Sequence, residues 1–564
     1  WLSGTYGSAW LRWVGGRNIY GGYLPRSGLL PFHDPVTGRD VMTLRLEYPQ
    51  DWFDACRYEF SSEPEPVKPD ATYAFTITYT GQNITGPRNP SSPEYGLVGK
   101  ISESGAENCQ ETGSGKVVTT YGKSTPGWNT IRGFWYSGAN NFAPKISFGL
   151  ENVNEGSAFV RNISLREVQP DGSMGPEILR EPSMEYETYI PDRKLQAMDR
   201  YLELAEKHGI YLKVVLMEKN DHIYQKIDDD GSFVIGGEKD NLDGFYGLGR
   251  GLNKTRWLQQ AWWRTAVARW GYSKNIHSWE LVNEGDPFLV RHWEMADEFG
   301  KFMHCRAFGV DVAPGDGAAC RYQHPNSHPV TTSFWHSFPA YSAKTGSGFW
   351  GSPKYPNVDY ADVHAYISTS PAPEQEKRRM EGDAAYYHLW HAGEYGAWKL
   401  SMPVMRGEAG MVPAGGSTDN YQGLGLERDI NGTWYHNYLW ASLDSNTLYE
   451  IYWYAIPHVY LPGRYDHRTA SRSLDNFMSG IPLNNGNYRP LDARVSGSGL
   501  RVAGQKDPVN GRAHIWIQNT QHTWRNVVDR VPIPPASATV RIPGFPPDRE
   551  YAIEWWDTYK TADQ

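Results

Sequence analysis

The sequence predicts an α/β chain organised around an eight-stranded parallel (β/α)8 barrel, with a β-sandwich before it and a smaller β-sandwich after it. Three observations lead to this. In the middle of the chain, short apolar runs alternate with helical stretches, the rhythm of a parallel sheet with crossover helices. On either side, Gly-, Pro-, Ser- and Thr-rich sequence carries period-two alternation instead. Two of the central apolar runs, Trp279-Glu280-Leu281-Val282-Asn283-Glu284-Gly285 and Val404-Met405-Arg406-Gly407-Glu408-Ala409-Gly410, carry a glutamate at the strand's C-terminal end. In a parallel barrel that end is the face where side chains converge on a ligand. With 564 residues the chain is too long for one core, and the expected division is 1–170, 171–490 and 491–564.

Residues 1–170 read as a sandwich from runs such as Thr72-Tyr73-Ala74-Phe75-Thr76-Ile77-Thr78-Tyr79 and Lys145-Ile146-Ser147-Phe148-Gly149-Leu150. Glu177-Ile178-Leu179-Arg180 is expected as an early barrel strand with Arg180 at its tip. Leu195, Met198, Leu202 and Ala205 then fall at helical spacing, and His208-Gly209 stops the helix. Tyr211–Met217 is strand three, followed by a long polar loop, Glu218–Leu252, of the kind that walls a cleft. A helix over Arg256–Arg269 leads to strand four, Ile276–Val282. Strand five is Val330–Trp335, strand six Val358–Tyr366, strand seven ends at Glu408, and strand eight is Tyr449–Tyr454. The first strand stays open: it comes either from the N-terminal segment or, irregularly, from around Ser173–Glu177. Beyond residue 490, His514–Gln518, Ala538–Ile542 and Arg549–Trp556 alternate again as strands of the last sandwich.

Two strand-end glutamates point to glycoside hydrolysis, in which one carboxyl group is protonated and the other ionised, about 5 Å apart. On Trp279-Glu280-Leu281-Val282-Asn283-Glu284 and Gly407-Glu408-Ala409-Gly410 the chain resembles clan A of the glycoside hydrolases, the retaining TIM-barrel enzymes, with family five and its relatives nearest. The resemblance covers roughly residues 175–460 and implies Glu284 as acid/base and Glu408 as nucleophile. It further implies that Asn283 holds the sugar 2-hydroxyl, that Tyr366 hydrogen-bonds the nucleophile with His364 beside it, and that Trp453 is a stacking platform. Arg180 would match the family's strand-two arginine, and Trp335 at the strand-five tip would line the cleft. Arg406, two residues before Glu408 on the same strand face, would hold a carboxylate ionised, with a structural role as the alternative. Two departures stand out: Ala409 replaces a frequent aromatic, and Met217–His222 lacks the histidine that commonly closes strand three. The run Gly156–Val168 is similar to the last strands of jelly-roll carbohydrate-binding modules, and modules of that kind often hold a structural calcium. Catalysis itself needs no cofactor in this family.

A formal charge of −9, spread without basic runs, argues against nucleic acid as partner, and no run of 18 apolar residues is present to span a membrane. With 23 Trp, 36 Tyr and 19 Phe the aromatics are too frequent all to be core; exposed flat rings are what sugar faces stack on, while most of the Trp read as packing. Four cysteines fit no zinc spacing. They read as two disulfides, Cys305–Cys320 and Cys56–Cys109, of a secreted protein, with four buried thiols as the alternative. The chain starts at Trp1 without a leader, as a processed or trimmed protein would. The expected activity is endo-hydrolysis of a β-1,4-linked glucan or mannan. An exo-acting β-glycosidase, a transglycosylase and a non-catalytic glycan-binding protein are the alternatives, and oligomeric state is not legible.

Overall fold

The computed structural model describes residues 28–34, 38, 40–47, 52–55, 67–102, 115–139, 145–179, 183–186, 192–218, 246, 254–287, 289–309, 319–320, 324, 327–334, 348–367, 370, 372–395, 400, 402–410, 428–444 and 467–560. The chain divides into two compact units: Trp1–Trp279 with Ala307–Val310 and His324–His328, and Glu280–Arg306 with Asp311–Gln323 and Pro329–Gln564.

The first unit opens with a sandwich of two antiparallel sheets. Its strands are β1 Gly28–His33, β2 Asp40–Glu47, β3 Trp52–Ala55, β4 Thr72–Thr85, β5 Gly96–Ser102, β6 Lys116–Val117, β7 Asn129–Tyr136, β8 Lys145–Glu151, β9 Glu155–Val168, β10 Met174–Glu177 and β11 Glu185–Tyr186. One sheet runs β1-β2-β9-β4-β7, with β10 on β9 and β11 on β2; the other runs β3-β8-β5-β6. Period-two burial produces the core: Tyr73, Phe75, Ile77 and Tyr79 of β4 pack with Leu97 and Ile101 of β5 and with Ile146, Phe148 and Leu150 of β8.

The described part of the expected early barrel strand, Glu177 to Leu179, belongs to this sandwich. Glu177 pairs with Arg166 of β9, its carboxylate accepts from the Leu165 N–H at 2.9 Å, and Leu179 is in the sandwich core. The apolar pair Ile178-Leu179 is satisfied by sandwich burial, and Arg180 lies outside the described residues. In the same unit, helix Asp192–His208 ends at Gly209, where φ is +66°, and leads to β12, Leu212–Glu218. Helix Lys254–Trp270 is tied to the first helix by a two-pronged ion pair, Arg269 to Asp199 at 2.8 and 2.6 Å.

The second unit carries parallel pairing. The strands here are β13 Ile276–Asn283, which starts in the first unit, β14 Val330–Thr331, β15 Ala361–Tyr366 and β16 Val404–Gly410. β15 and β16 pair in parallel, and Gly285 forms a parallel bridge to Phe334. Strands four, six and seven of the expected barrel thus correspond to β13, β15 and β16. Strand five is shorter than expected, and a closed barrel is not formed among the described residues; Tyr449–Tyr454, expected as strand eight, lies outside them. Helix Val290–His304 ends at the Cys305–Cys320 disulfide, which is formed with a Cα–Cα distance of 6.3 Å. Cys56 and Cys109 lie outside the described residues.

At the C-terminus, β17 Arg489–Pro490, β19 Leu500–Asp507 and β20 Arg512–Asn519 form one sheet, and β18 Arg494–Ser496 with β21 Thr539–Arg541 another. The expected last strand, Arg549–Trp556, is not a strand: its residues are all exposed, with Trp555 at 82 %. Its alternation has no described neighbouring strand to pair with. Among the described residues, no helix is long and apolar enough to cross a membrane.

Candidate active site

The candidate site is built from the ends of β13, β15 and β16, all within the second unit. Burial selects these segments as strands: β16 is buried at every position, and β13 from Ser278 onwards. A strand buried on both faces is the mark of a parallel sheet. Charged residues inside such runs are costly unless paired, and four of them, Glu280, Asp362, Arg406 and Glu408, are buried here.

Glu284 follows β13 with a φ of +51°, in the left-handed region that a glutamate rarely occupies. Three contacts hold it there. Its N–H donates to Ser333 Oγ at 2.9 Å, the Gly285 N–H donates to the Ser333 carbonyl at 3.0 Å, and the Ser333 N–H donates to the Val282 carbonyl at 3.2 Å. Ser333 Oγ in turn donates to Glu280 Oε1 at 2.5 Å. Gly285 must be glycine, because a Cβ there would lie 2.3 Å from the His292 ring. That ring is fully enclosed, reaches the Thr332 hydroxyl at 2.8 Å, and burial lowers its pKa to about 4. Asn283, the residue before Glu284, is buried at the strand end.

His364 stands between the two glutamates. Its Nδ1 is 3.2 Å from Glu284 Oε1 and 3.5 Å from Glu408 Oε2; its Nε2 is 3.7 Å from Asp362 Oδ1. Burial opposes a charge on this ring, but the carboxylates of Glu408, Glu284 and Asp362 together outweigh it and raise the pKa to about 10. Tyr366 donates its hydroxyl to Glu408 Oε2. Glu408 is enclosed, whereas the side chain of Glu284 keeps 14 % of its surface exposed, so Glu284 is the member of the pair that meets solvent.

Two triads, Glu284–His364–Glu408 and Glu280–Asp362–His364, bring nitrogen and carboxylate atoms within 4.8 Å of one another. A neutral histidine in such a set could ligate a cation. A protonated one donates to the acids around it, and those acids favour that form of His364.

Arg406 does not take its expected part. Asp362 pairs with Met405 but His364 pairs with Glu408, so β16 carries one extra residue between them. This bulge breaks the alternation that would have put Arg406 and Glu408 on one face. Among the described residues the Arg406 guanidinium donates to His388 Nδ1 and the Tyr438 hydroxyl, both at 3.1 Å, and to the His388 carbonyl at 3.1 Å. Burial and this guanidinium keep His388 neutral. The site thus brings together Glu284, Glu408, His364 and Tyr366, with Asn283 beside Glu284 in the chain. It leaves Arg406 facing helix Ala384–Tyr395. Arg180, Trp335 and Trp453 lie outside the described residues. Glu280, Ser333 and Asp362 were not singled out from sequence, although a carboxylate inside an otherwise apolar strand is itself a signal.

No family model matches the sequence, and no curated protein matches it. Among solved structures the chain is distantly similar to glycoside hydrolases and carbohydrate-binding modules. A "Family 16 Carbohydrate Binding Module-2" shares 11% identity over 26% of this chain and 88% of its own, with a TM-score of 0.17. The Clostridium thermocellum N-terminal endo-1,4-beta-D-xylanase 10B, a CBM22-1–GH10 module pair complexed with xylohexaose, shares 9% over 74% of this chain and 83% of its own, TM-score 0.24. A beta-D-glucuronidase of Dictyoglomus thermophilum shares 10% over 71% and 86%, TM-score 0.24. Scores this low leave the functional reading to the chain's own residues.

Proposed function

We propose that this chain is a retaining glycoside hydrolase that cleaves β-linked polysaccharide with Glu408 as nucleophile and Glu284 as acid/base, on a (β/α)8 barrel that follows the sandwich strand Glu185–Tyr186 and runs to about residue 490. The observation that carries this reading is the spacing of the two carboxylates. Glu284 and Glu408 each place an oxygen within 4.8 Å of the other and of His364. Retaining enzymes hold their carboxyl groups about 5–5.5 Å apart, whereas inverting ones leave about 6.5–9.5 Å for a water.

The roles follow from the surroundings. Glu408 accepts from Tyr366, a contact that favours its ionised form, as a nucleophile requires. Its oxygen attacks the anomeric carbon while Glu284, on the solvent side, gives its proton to the departing glycosidic oxygen. A glycosyl ester on Glu408 results. Water then attacks the anomeric carbon, Glu284 takes that water's proton, and the Glu408 carboxylate leaves. Asn283 is assigned to the sugar 2-hydroxyl, a contact that strengthens as positive charge develops on the ring.

The substrate assigned is a β-1,4-linked hexose polymer attacked internally, glucan before mannan, with exo-acting release as the second reading. Secretion and a calcium in the N-terminal sandwich are further proposals. Among the described residues the convergent His and carboxylate clusters lie in the second unit. The test is product release from β-glucans, mannans and xylans. Glu408→Gln should abolish turnover. Glu284→Ala should cripple hydrolysis and regain turnover with azide on a substrate with an activated leaving group, because that leaving group departs without protonation and azide attacks the glycosyl ester on Glu408 without a general base, giving a glycosyl azide. Near wild-type activity in either variant sinks the assignment.

A further inference from the structure

The ring of His364 has acids on both edges. Nδ1 faces Glu284 and Glu408 at 3.2 and 3.5 Å, and Nε2 faces Asp362 Oδ1 at 3.7 Å. Glu280 joins from β13, within 4.8 Å of Asp362 and His364 atoms, and among the described residues Tyr366 joins through Glu408. We propose that Asp362 is the positioning residue of this site, its carboxyl group standing behind the His364 ring at an ion-pair rather than a hydrogen-bond distance, so that Nδ1 is presented to both glutamates at once. This rests on the reading of Glu284 and Glu408 as acid/base and nucleophile.

Three features support it. Asp362, His364 and Tyr366 alternate along β15, so one strand face supplies the anchor, the ring and the hydroxyl on Glu408. The partner strand makes room for the anchor: a Cβ at position 407 would lie 1.9 Å from Asp362 Oδ1. Gly407 sits in the same bulge that sets Glu408 opposite His364, so one backbone irregularity admits the anchoring carboxylate and positions the nucleophile. Finally, Asp362 is only 1 % exposed. A carboxylate this enclosed is costly beside a neutral ring and compensated beside an imidazolium. Asp362 is one of the three acids that raise the pKa of the ring.

The experiment uses the full chain with isotope-labelled histidine. The His364 resonances are assigned by their loss in His364→Gln, and kcat and KM are followed against pH in wild type and Asp362→Asn. In wild type, His364 should remain an imidazolium through neutral pH. In Asp362→Asn its titration should fall by about one pH unit or more, and kcat should drop about tenfold with KM little changed. The alkaline limb of the rate profile should move to lower pH with the ring. A neutral His364 at pH 7 in wild type overturns the proposal whether or not the variant folds. So does a variant whose ring and alkaline limb titrate as in wild type. A ring that shifts as expected in a chain that cleaves no glycan supports the positioning role while overturning the hydrolase reading.

Discussion

Glu284 occupies a backbone conformation that costs roughly 1–2 kcal/mol for a residue with a side chain, and Ser333 is what holds it there. The Ser333 hydroxyl accepts from the Glu284 N–H and donates to Glu280, so a single oxygen links the residue assigned as acid to a fully buried carboxylate. Ser333→Ala leaves that N–H without its partner and removes a donor from Glu280, a loss of about 1–3 kcal/mol. The expected outcome is a lower melting temperature together with a kcat fall of roughly ten- to a hundredfold, since small misplacements of a reacting group are expensive. KM should move far less. A variant that loses stability but keeps its kcat would show that Ser333 only packs the strand end.

At the scale of the element, the bulge in β16 decides which side chains reach the site. Gly407→Ala introduces a Cβ 1.9 Å from a buried carboxylate oxygen, and neither a strand interior nor Asp362 has room to yield. The variant should lose several kcal/mol, read as reduced soluble yield and a depressed unfolding midpoint; a midpoint equal to wild type would mean that the bulge relaxes freely. This element also shows what could be read in advance. Strands four, six and seven were legible because buried apolar runs ending in Glu-Gly, His-Ala-Tyr or Glu-Ala-Gly leave few alternatives. The bulge was not, because alternation counts residues and cannot register an extra one. That is why Arg406 was expected beside Glu408 and instead reaches His388 and Tyr438. Ile178-Leu179 misled for a related reason. Two apolar residues fit a barrel strand or the margin of a sandwich equally well, and only the pairing of Glu177 with β9 distinguishes them. Arg549–Trp556 alternates like a strand, but pairing depends on a neighbour that alternation does not reveal.

At the scale of the whole molecule, the buried histidines make stability depend on pH in two opposite senses. Burial lowers His292, His436 and His514 to about 4 and His391 to about 3, and burial with Arg406 lowers His388 well below its ordinary value. All five lie in the second unit. Between the ordinary histidine value of 6.5 and about 4 the unfolded chain binds protons that the folded chain refuses, so stability falls as the pH is lowered through this window. His364 works the other way: its folded value is raised to about 10. Its contribution is complete below 6.5 and is lost as the pH rises from there towards 10. Each proton so linked gives a slope of at most about 1.4 kcal/mol per pH unit. Several act together on the acid side and one on the alkaline side, so the melting temperature should peak near neutrality, falling steeply below pH 6 and gently above pH 8. Calorimetry from pH 5 to 9 checks this. His364→Gln should flatten the alkaline side while leaving the acid side as steep as before. A melting temperature that does not change between pH 5 and 7 would mean that these rings are not buried neutral in solution.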